Sequence, residues 1–156
     1  MKILVTGGLG YVGGRLAEYL SSLTNYQVDI SCHSEKSWSF PWLKNSNIVK
    51  LDLPGKIGDL VGLCRGYDAI VHLAALNDKN CKENPEAAFS VNCQGVFNLL
   101  EAAKQAKVKR FIYLSTAHVC GSPLDGNISE TRLTKAFHPY AWSHKIAEDL
   151  VLAAHG

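Results

Sequence analysis

Apolar and polar positions along the 156 residues switch repeatedly between two periods, and the switching predicts the elements. Ile3 to Val5 is a short apolar run, the mark of a buried strand. From Tyr11 to Ser22, Val12, Leu16 and Leu20 recur every four residues and predict a helix. Gln27 to Cys32 alternates, with Val28, Ile30 and Cys32 on one face, and predicts a second strand. His33 to Asn47 is rich in Ser, Trp, Pro and Lys and predicts a loop holding at most a short helix. Ile48 to Leu51 predicts a third strand, Ile57 to Arg65 a short helix, and Ala69 to Leu73 a fourth, buried strand. A loop from Ala74 to Asn84 leads into a long helix from Pro85 to Ala106, with proline suited to its first turn. Phe111 to Leu114 is the fifth strand, Ser122 to Pro139 a polar loop with Gly and Pro, and Tyr140 to Ala154 the final helix. Strands that alternate with helices imply a parallel sheet covered on both faces, a doubly wound α/β domain. No repeat, low-complexity segment, linker or second domain is visible, so residues 1–156 read as one dinucleotide-binding (Rossmann) domain.

The junction between the first strand and the first helix carries the clearest chemistry. Thr6-Gly7-Gly8-Leu9-Gly10-Tyr11-Val12-Gly13 has almost no side chains, so backbone N–H groups can approach a phosphate closely. The following helix adds the positive end of its dipole. Two registers overlap: Gly8-x-Gly10-x-x-Gly13 is the dinucleotide fingerprint, and Gly7-x-x-Gly10-x-x-Gly13 is a variant. A glycine turn alone also joins strands to helices for structural reasons, but an apolar strand before it and an amphipathic helix after it favour nucleotide binding.

Composition narrows the partners. Apolar residues are 47% of the chain and charged residues 19%, enough for a substantial core. The net charge of +2, with no basic run, does not favour nucleic acid. No apolar stretch is long enough to span a bilayer and no leader precedes Lys2, so neither membrane nor secretion is expected. The five cysteines, Cys32, Cys64, Cys81, Cys93 and Cys120, lack CxxC or Cys/His ligand spacing. They read as reduced thiols of a cytoplasmic protein, with no metal site.

With its elements placed, the chain resembles the extended short-chain dehydrogenase/reductase family, the nucleotide-sugar epimerases and dehydratases above all, over essentially its whole length. The turn matches with Gly7, Gly10 and Gly13 as the family's three glycines, with Tyr11 and Val12 between them. Asp52-Leu53 is similar to the family's adenine-contacting pair, and Leu73-Ala74-Ala75 to the stretch that closes strand four beside the cofactor. Asn92, in Asn92-Cys93-Gln94-Gly95, matches an Asn that supports the active-site backbone and is counted with the cofactor site. Leu114-Ser115-Thr116 places Thr116 at the catalytic hydroxyl, and Tyr140 stands at the catalytic tyrosine. The resemblance implies NAD or NADP as cofactor and a nucleotide-sugar as substrate. It implies a reaction begun by Tyr140, aided by Thr116, removing a hydroxyl proton while hydride passes to the nicotinamide. A carbonyl reductase and a non-catalytic dinucleotide-binding module are the alternatives, and a homodimer is left open. Each residue also has a plainer reading: Asp52 as a turn residue, Asn92 as solvent-facing, Thr116 as a strand cap, Tyr140 as a packing aromatic. His72 and His118 read as structural or loop residues.

Three departures stand out. The family pairs its tyrosine with a lysine four positions on, and here that position is His144, with Lys145 one later. At about 100° per residue, position four lies about 40° from Tyr140 and position five about 140° away. His144 therefore takes the lysine's role: neutral, it keeps the ribose hydrogen bond; protonated, it also assists the tyrosine electrostatically. At the end of strand two, many members carry an Asp for the adenine ribose, and this chain has Cys32-His33-Ser34-Glu35-Lys36. His33 and Lys36 suit a 2′-phosphate and lean toward NADP, whereas Glu35 argues for NAD. Finally, the family has further strands and a C-terminal substrate domain, while this sequence ends at Gly156. It is expected to lack one wall of the sugar pocket. Lys79 and Asn80, after strand four, are candidates to touch the substrate.

Overall fold

The computed structural model describes residues 1–33, 41 and 46–154. Five strands, β1 (Lys2–Thr6), β2 (Gln27–Cys32), β3 (Ile48–Lys50), β4 (Ala69–His72) and β5 (Arg110–Tyr113), form one sheet in the order β3-β2-β1-β4-β5. Every pairing is parallel, with Val5 opposite Ile30 on one side and Val71 on the other. The doubly wound reading is thus the observed architecture. β1 lies at the centre, and residues 3–6 are buried without interruption, as a strand covered on both faces requires.

Alternate β1 side chains feed two cores. Ile3 and Val5 pack with Val28 and Ile30 beneath helix α1 (Tyr11–Ser21), through Ala17. Leu4 points the other way, to Ile70, Leu60 of α2 (Ile57–Cys64) and Leu99 of α5 (Gly95–Gln105). β2 buries an acid between these layers. Asp29 is 1% exposed and accepts hydrogen bonds from Asn47 N (2.9 Å), Asn47 Nδ2 (3.0 Å) and Tyr67 OH (2.8 Å), with Lys2 Nζ at 3.2 Å. Burial alone would raise its pKa; these donors outweigh it and hold the carboxyl below its ordinary value.

Two predicted elements differ from what is observed. The segment after β4, expected to be a loop to Asn84, contains helix α3 (Asp78–Glu83), started by Asn77, whose side chain accepts from Asn80 N at 2.9 Å. The long helix begins as predicted at Pro85 but is not uniform: α4 (Pro85–Ala88) opens into a π-helical segment, Phe89–Gln94, before α5 resumes. The chain then forms β5, a 3-10 turn (Ala117–Cys120) and α6 (Pro139–Ala153). The short helix allowed between His33 and Asn47 falls largely outside the described residues.

The glycines separate those that packing demands from those it does not. A Cβ on Gly8 would lie 2.4 Å from Ile30 Cβ, and one on Gly13 would lie 2.3 Å from the Gly7 carbonyl oxygen. A Cβ on Gly62, inside α2, would meet no described residue within 4 Å beyond its own helix backbone. Gly62→Ala should therefore stabilise the fold by roughly 0.5–1 kcal/mol, the helix-propensity difference. Gly8→Ala should cost about 1–3 kcal/mol through overpacking. Urea unfolding of the two variants distinguishes them; a Gly8→Ala protein as stable as the wild type would contradict the packing.

Candidate functional site

The strand order reverses between β1 and β4, and two connections leave the sheet there in opposite directions. This is the switch point at which open α/β sheets bind ligands, beyond the carboxyl ends of the strands. A cleft of about 410 Å³ opens there. Its lining includes Gly7 and Gly10 from the turn, Ser31, Cys32 and His33 from the end of β2, Leu51 and Leu53 after β3, and Ala74, Ala75 and Leu76 after β4. Val91 closes it from the π-helical segment. Leu9, Leu51, Leu53, Leu76 and Val91 give it the apolar walls a planar ring needs.

The turn brings backbone to the cleft edge. Gly7 has φ +66°, and a Cβ there would stand 2.9 Å from Ala74 N, so the turn after β1 and the exit of β4 touch through main chain. Gly10 N donates to Gly7 O at 2.9 Å, tightening the loop. Helix α1 then starts with no side-chain cap and no acid in its first turn. Its leading N–H groups therefore remain available to an anion at the cleft edge. Gly8 faces away and packs on Ile30, so the cleft is built with Gly7 and Gly10.

A second cluster gathers around the start of α6. Tyr140 lies edge-on to His144, with ring centroids 4.5 Å apart. His118, from the 3-10 turn, is 6.0 Å from Tyr140 and 5.3 Å from His138, which caps α6. Asp78 Oδ1 is 3.4 Å from His138 Nδ1. Thr116 caps the 3-10 turn, accepting from His118 N at 3.3 Å and keeping its own O–H to donate. Beneath them His144, 3% exposed, shares a 2.6 Å hydrogen bond between Nδ1 and the Tyr113 hydroxyl, while its Nε2 is buried without a partner among the described residues.

Asn92 joins the two regions. It is buried in the π-helical segment, next to Val91 of the cleft wall. Its Oδ1 accepts from Leu76 N at 2.8 Å, and its Nδ2 donates to Ser143 Oγ at 3.1 Å. Ser143 Oγ in turn donates to Tyr140 O at 3.0 Å. One side chain thus ties the loop after β4, the wall of the cleft and the helix that carries Tyr140.

The sequence pattern of the "NAD dependent epimerase/dehydratase family" matches residues 3–156. The chain belongs to that family. Among similar solved structures are a UDP-glucose 4-epimerase from Stenotrophomonas maltophila with bound NAD (26% identity, TM-score 0.85, covering 98% of this chain and 48% of that one) and the UDP-Glc/GlcNAc 4-epimerase of Campylobacter jejuni (28%, 0.83, 98% and 48%). A dTDP-glucose 4,6-dehydratase from Streptomyces venezuelae, with NAD and TYD bound, is similar at 28% identity and a TM-score of 0.84, covering 99% of this chain and 52% of that one. The chain therefore spans about half the length of these epimerase/dehydratase structures.

The structure distributes the expected site residues among three places. Gly7, Gly10, His33, Leu53, Ala74 and Ala75 line the cleft. Leu73 backs it: a Gly7 Cβ would meet its carbonyl carbon at 3.1 Å. Gly13 is buried under the turn, and Tyr11 and Val12, 78% and 52% exposed, start α1 outside the lining. Asp52 is exposed beside Leu53, with Lys50 Nζ at 3.8 Å, and is not part of the lining. Thr116, Tyr140 and His144 belong to the second cluster. Asn92 is buried and makes specific hydrogen bonds to Leu76 and Ser143, so it does not face solvent, the plainer of its two readings. Lys145 pairs with Asp149 one turn along the outer side of α6. Lys79 and Asn80 are exposed in α3, where Lys79 Nζ lies 3.9 Å from Glu83. Glu35 and Lys36 lie outside the described residues.

Sequence reasoning missed Tyr113, Ser143 and Thr6. Thr6 Oγ1 accepts from Leu73 N (3.1 Å) and Ala74 N (3.2 Å), which leaves its hydrogen for His72 Nδ1 at 2.7 Å. A polar residue closing an apolar strand was the available signal for Thr6. His72 is fully buried, so its reading as a structural residue describes its position, whereas His118 sits against Tyr140.

Burial pushes both His72 and His144 down to about 4 from 6.5, with His144 adding to the effect at His72. Burial thus favours the uncharged form of both at neutral pH, and the uncharged imidazole is the form of His144 used below. Because unfolded histidine takes up its proton near 6.5 and these two only near 4, stability should fall as pH drops through that window. Each histidine contributes up to about 1.4 kcal/mol per pH unit. Thermal melts between pH 7 and pH 4 test this: His144→Gln should flatten the dependence, and an unchanged slope would contradict a buried neutral His144.

Proposed function

We propose that the chain is the cofactor-binding part of an NAD-dependent nucleotide-sugar epimerase or dehydratase, with Tyr140 as its acid/base group. The observation that supports this most is the tie through Asn92 between a dinucleotide-sized cleft at the switch point and the Tyr140–His144 pair. NAD fits the residues present: glycine backbone and an uncapped helix start for the pyrophosphate, Leu51 and Leu53 for the adenine, and Asp52 beside them for its polar edge. The lean toward NADP rested partly on Lys36; the similar structures named with a dinucleotide hold NAD, and NAD is the cofactor we propose.

When bound, the nicotinamide supplies the hydride acceptor and donor. The residues of this chain do the proton work. Tyr140 takes the proton from a sugar hydroxyl, and Thr116 donates a hydrogen bond to the same oxygen. Neutral His144 provides a hydrogen bond where the family's lysine provides a hydrogen bond and a charge. The tyrosine therefore receives no cationic help from position 144. The sugar pocket is completed by the half of the relatives' length that these residues do not span.

Calorimetry with residues 1–156 tests the cofactor reading directly. Saturable NAD binding is expected, tighter than NADP. Gly10→Val, at a position where a Cβ meets just the Gly7 oxygen at 3.2 Å, should keep the fold and weaken NAD at least about tenfold by blocking phosphate approach. Without saturable binding the proposal fails. Residues 1–156, about half the length of the similar structures, should not turn over UDP-glucose by themselves; turnover would refute a need for the other half.

A further inference from the structure

The hydrogen bond between Tyr113 and His144 has a direction that its surroundings determine. Tyr113 is the last residue of β5, and burial raises its phenol pKa, so it keeps its proton. Tyr113 is half-buried, and among the described residues its hydroxyl has one hydrogen-bond partner, His144 Nδ1 at 2.6 Å. If His144 carried its hydrogen on Nδ1 and donated it, both the phenol hydrogen and the bare, buried Nε2 would be left without a protein partner among the described residues. If the phenol donates, Nδ1 is the bare nitrogen and the imidazole hydrogen lies on Nε2. Nε2 is the atom that is buried with no protein partner, on a ring whose centroid is 4.5 Å from that of Tyr140.

We propose that Tyr113 is a positioning residue: its hydroxyl donates to His144 Nδ1 and holds the imidazole as the Nε2–H tautomer, so that His144 presents a neutral N–H donor beside Tyr140. Nε2 is closed to solvent in this structure, so binding of an oxygen of the dinucleotide by that donor requires the ring edge beside Tyr140 to be uncovered as the dinucleotide binds, and this use rests on the function proposed above. The tautomer itself does not. A lysine ammonium needs no such partner, because all its hydrogens are donors. A histidine in its place works as a donor on one nitrogen in one of two tautomers, so a hydroxyl behind the ring becomes part of the site. Thr6 does the same for His72: its hydroxyl, with both lone pairs occupied by Leu73 N and Ala74 N, donates to His72 Nδ1. Two buried histidines, His144 in the site and His72 in the core beside it, are thus both set by a hydroxyl.

Nitrogen NMR of the ring, assigned with His144→Ala, reads the tautomer without any cofactor. The expected wild-type spectrum shows His144 with a bare Nδ1 and a protonated Nε2, and Tyr113→Phe shows a measurable Nδ1–H population. A proton on Nδ1 in the wild type, or an unchanged ring in Tyr113→Phe, overturns the proposal. In parallel, Tyr113→Phe should weaken NAD about threefold to tenfold, the range of one neutral hydrogen bond. In a His144→Ala background it should change NAD affinity less than about twofold, since the coupling runs through the imidazole. An altered tautomer with unaltered NAD affinity overturns the assigned use of the donor. Failure of the wild type to bind NAD refutes the proposed function instead, while the ring nitrogens still decide the tautomer. Amide spectra of Tyr113→Phe separate these results from a loss of fold.

Discussion

The approach of main chain to main chain between the Gly7 turn and the exit of β4 is the constraint on which the rest depends. β1 and β4 are adjacent, yet their connections leave on opposite sides of the sheet, so the two exits must part without a side chain between them. Gly7 meets this with φ +66° and no Cβ, and Gly13 lets the start of α1 settle on the Gly7 carbonyl. Thr6 completes the junction by accepting the N–H groups of Leu73 and Ala74. The resulting gap is lined by backbone and small or apolar side chains, which suits it to a flat, phosphate-linked ligand.

The second region follows a different principle. Around Tyr140 the groups are polar, and several are buried without charge. Taking a histidine out of water costs its charged form far more than its neutral form, so burial of His144 converts the usual cation into a directional donor. The charged lysine next to it is engaged elsewhere, in an ion pair with Asp149. A site assembled this way depends on hydrogen-bond geometry where a lysine-containing site has Coulomb attraction to spare. Tyr113 and Thr6 each place a hydroxyl against the Nδ1 of one of the two buried histidines.

Much of this was legible in the sequence because it followed from period and punctuation. β1, β2 and α1 could be bounded from apolar spacing, and the glycine turn from composition. The short helix Asp78–Glu83 was not legible, since its residues are polar and its start depends on a cap by Asn77 that resembles any loop asparagine. The π-helical segment left no trace for a related reason: widening one turn changes hydrogen-bond partners without changing residue types. The burial of Asp29 was not legible either, since its donors come from residues 2, 47 and 67, remote in sequence. In the site, the position of His144 relative to Tyr140 could be read from helical geometry. The identity of the group behind it could not, because nothing in a single strand reveals which helix its aromatic faces.

Asn92 gives the molecule a mechanical property as well as a chemical one. Its amide replaces what would otherwise be three independent surfaces with one braced unit: the strand-four exit, the widened helix and the front of α6. Such a brace transmits displacement with little slack. The cleft wall at Leu76 and the backbone at Tyr140 are thereby held by one hydrogen-bonding side chain, so the position of either is fixed by the same amide.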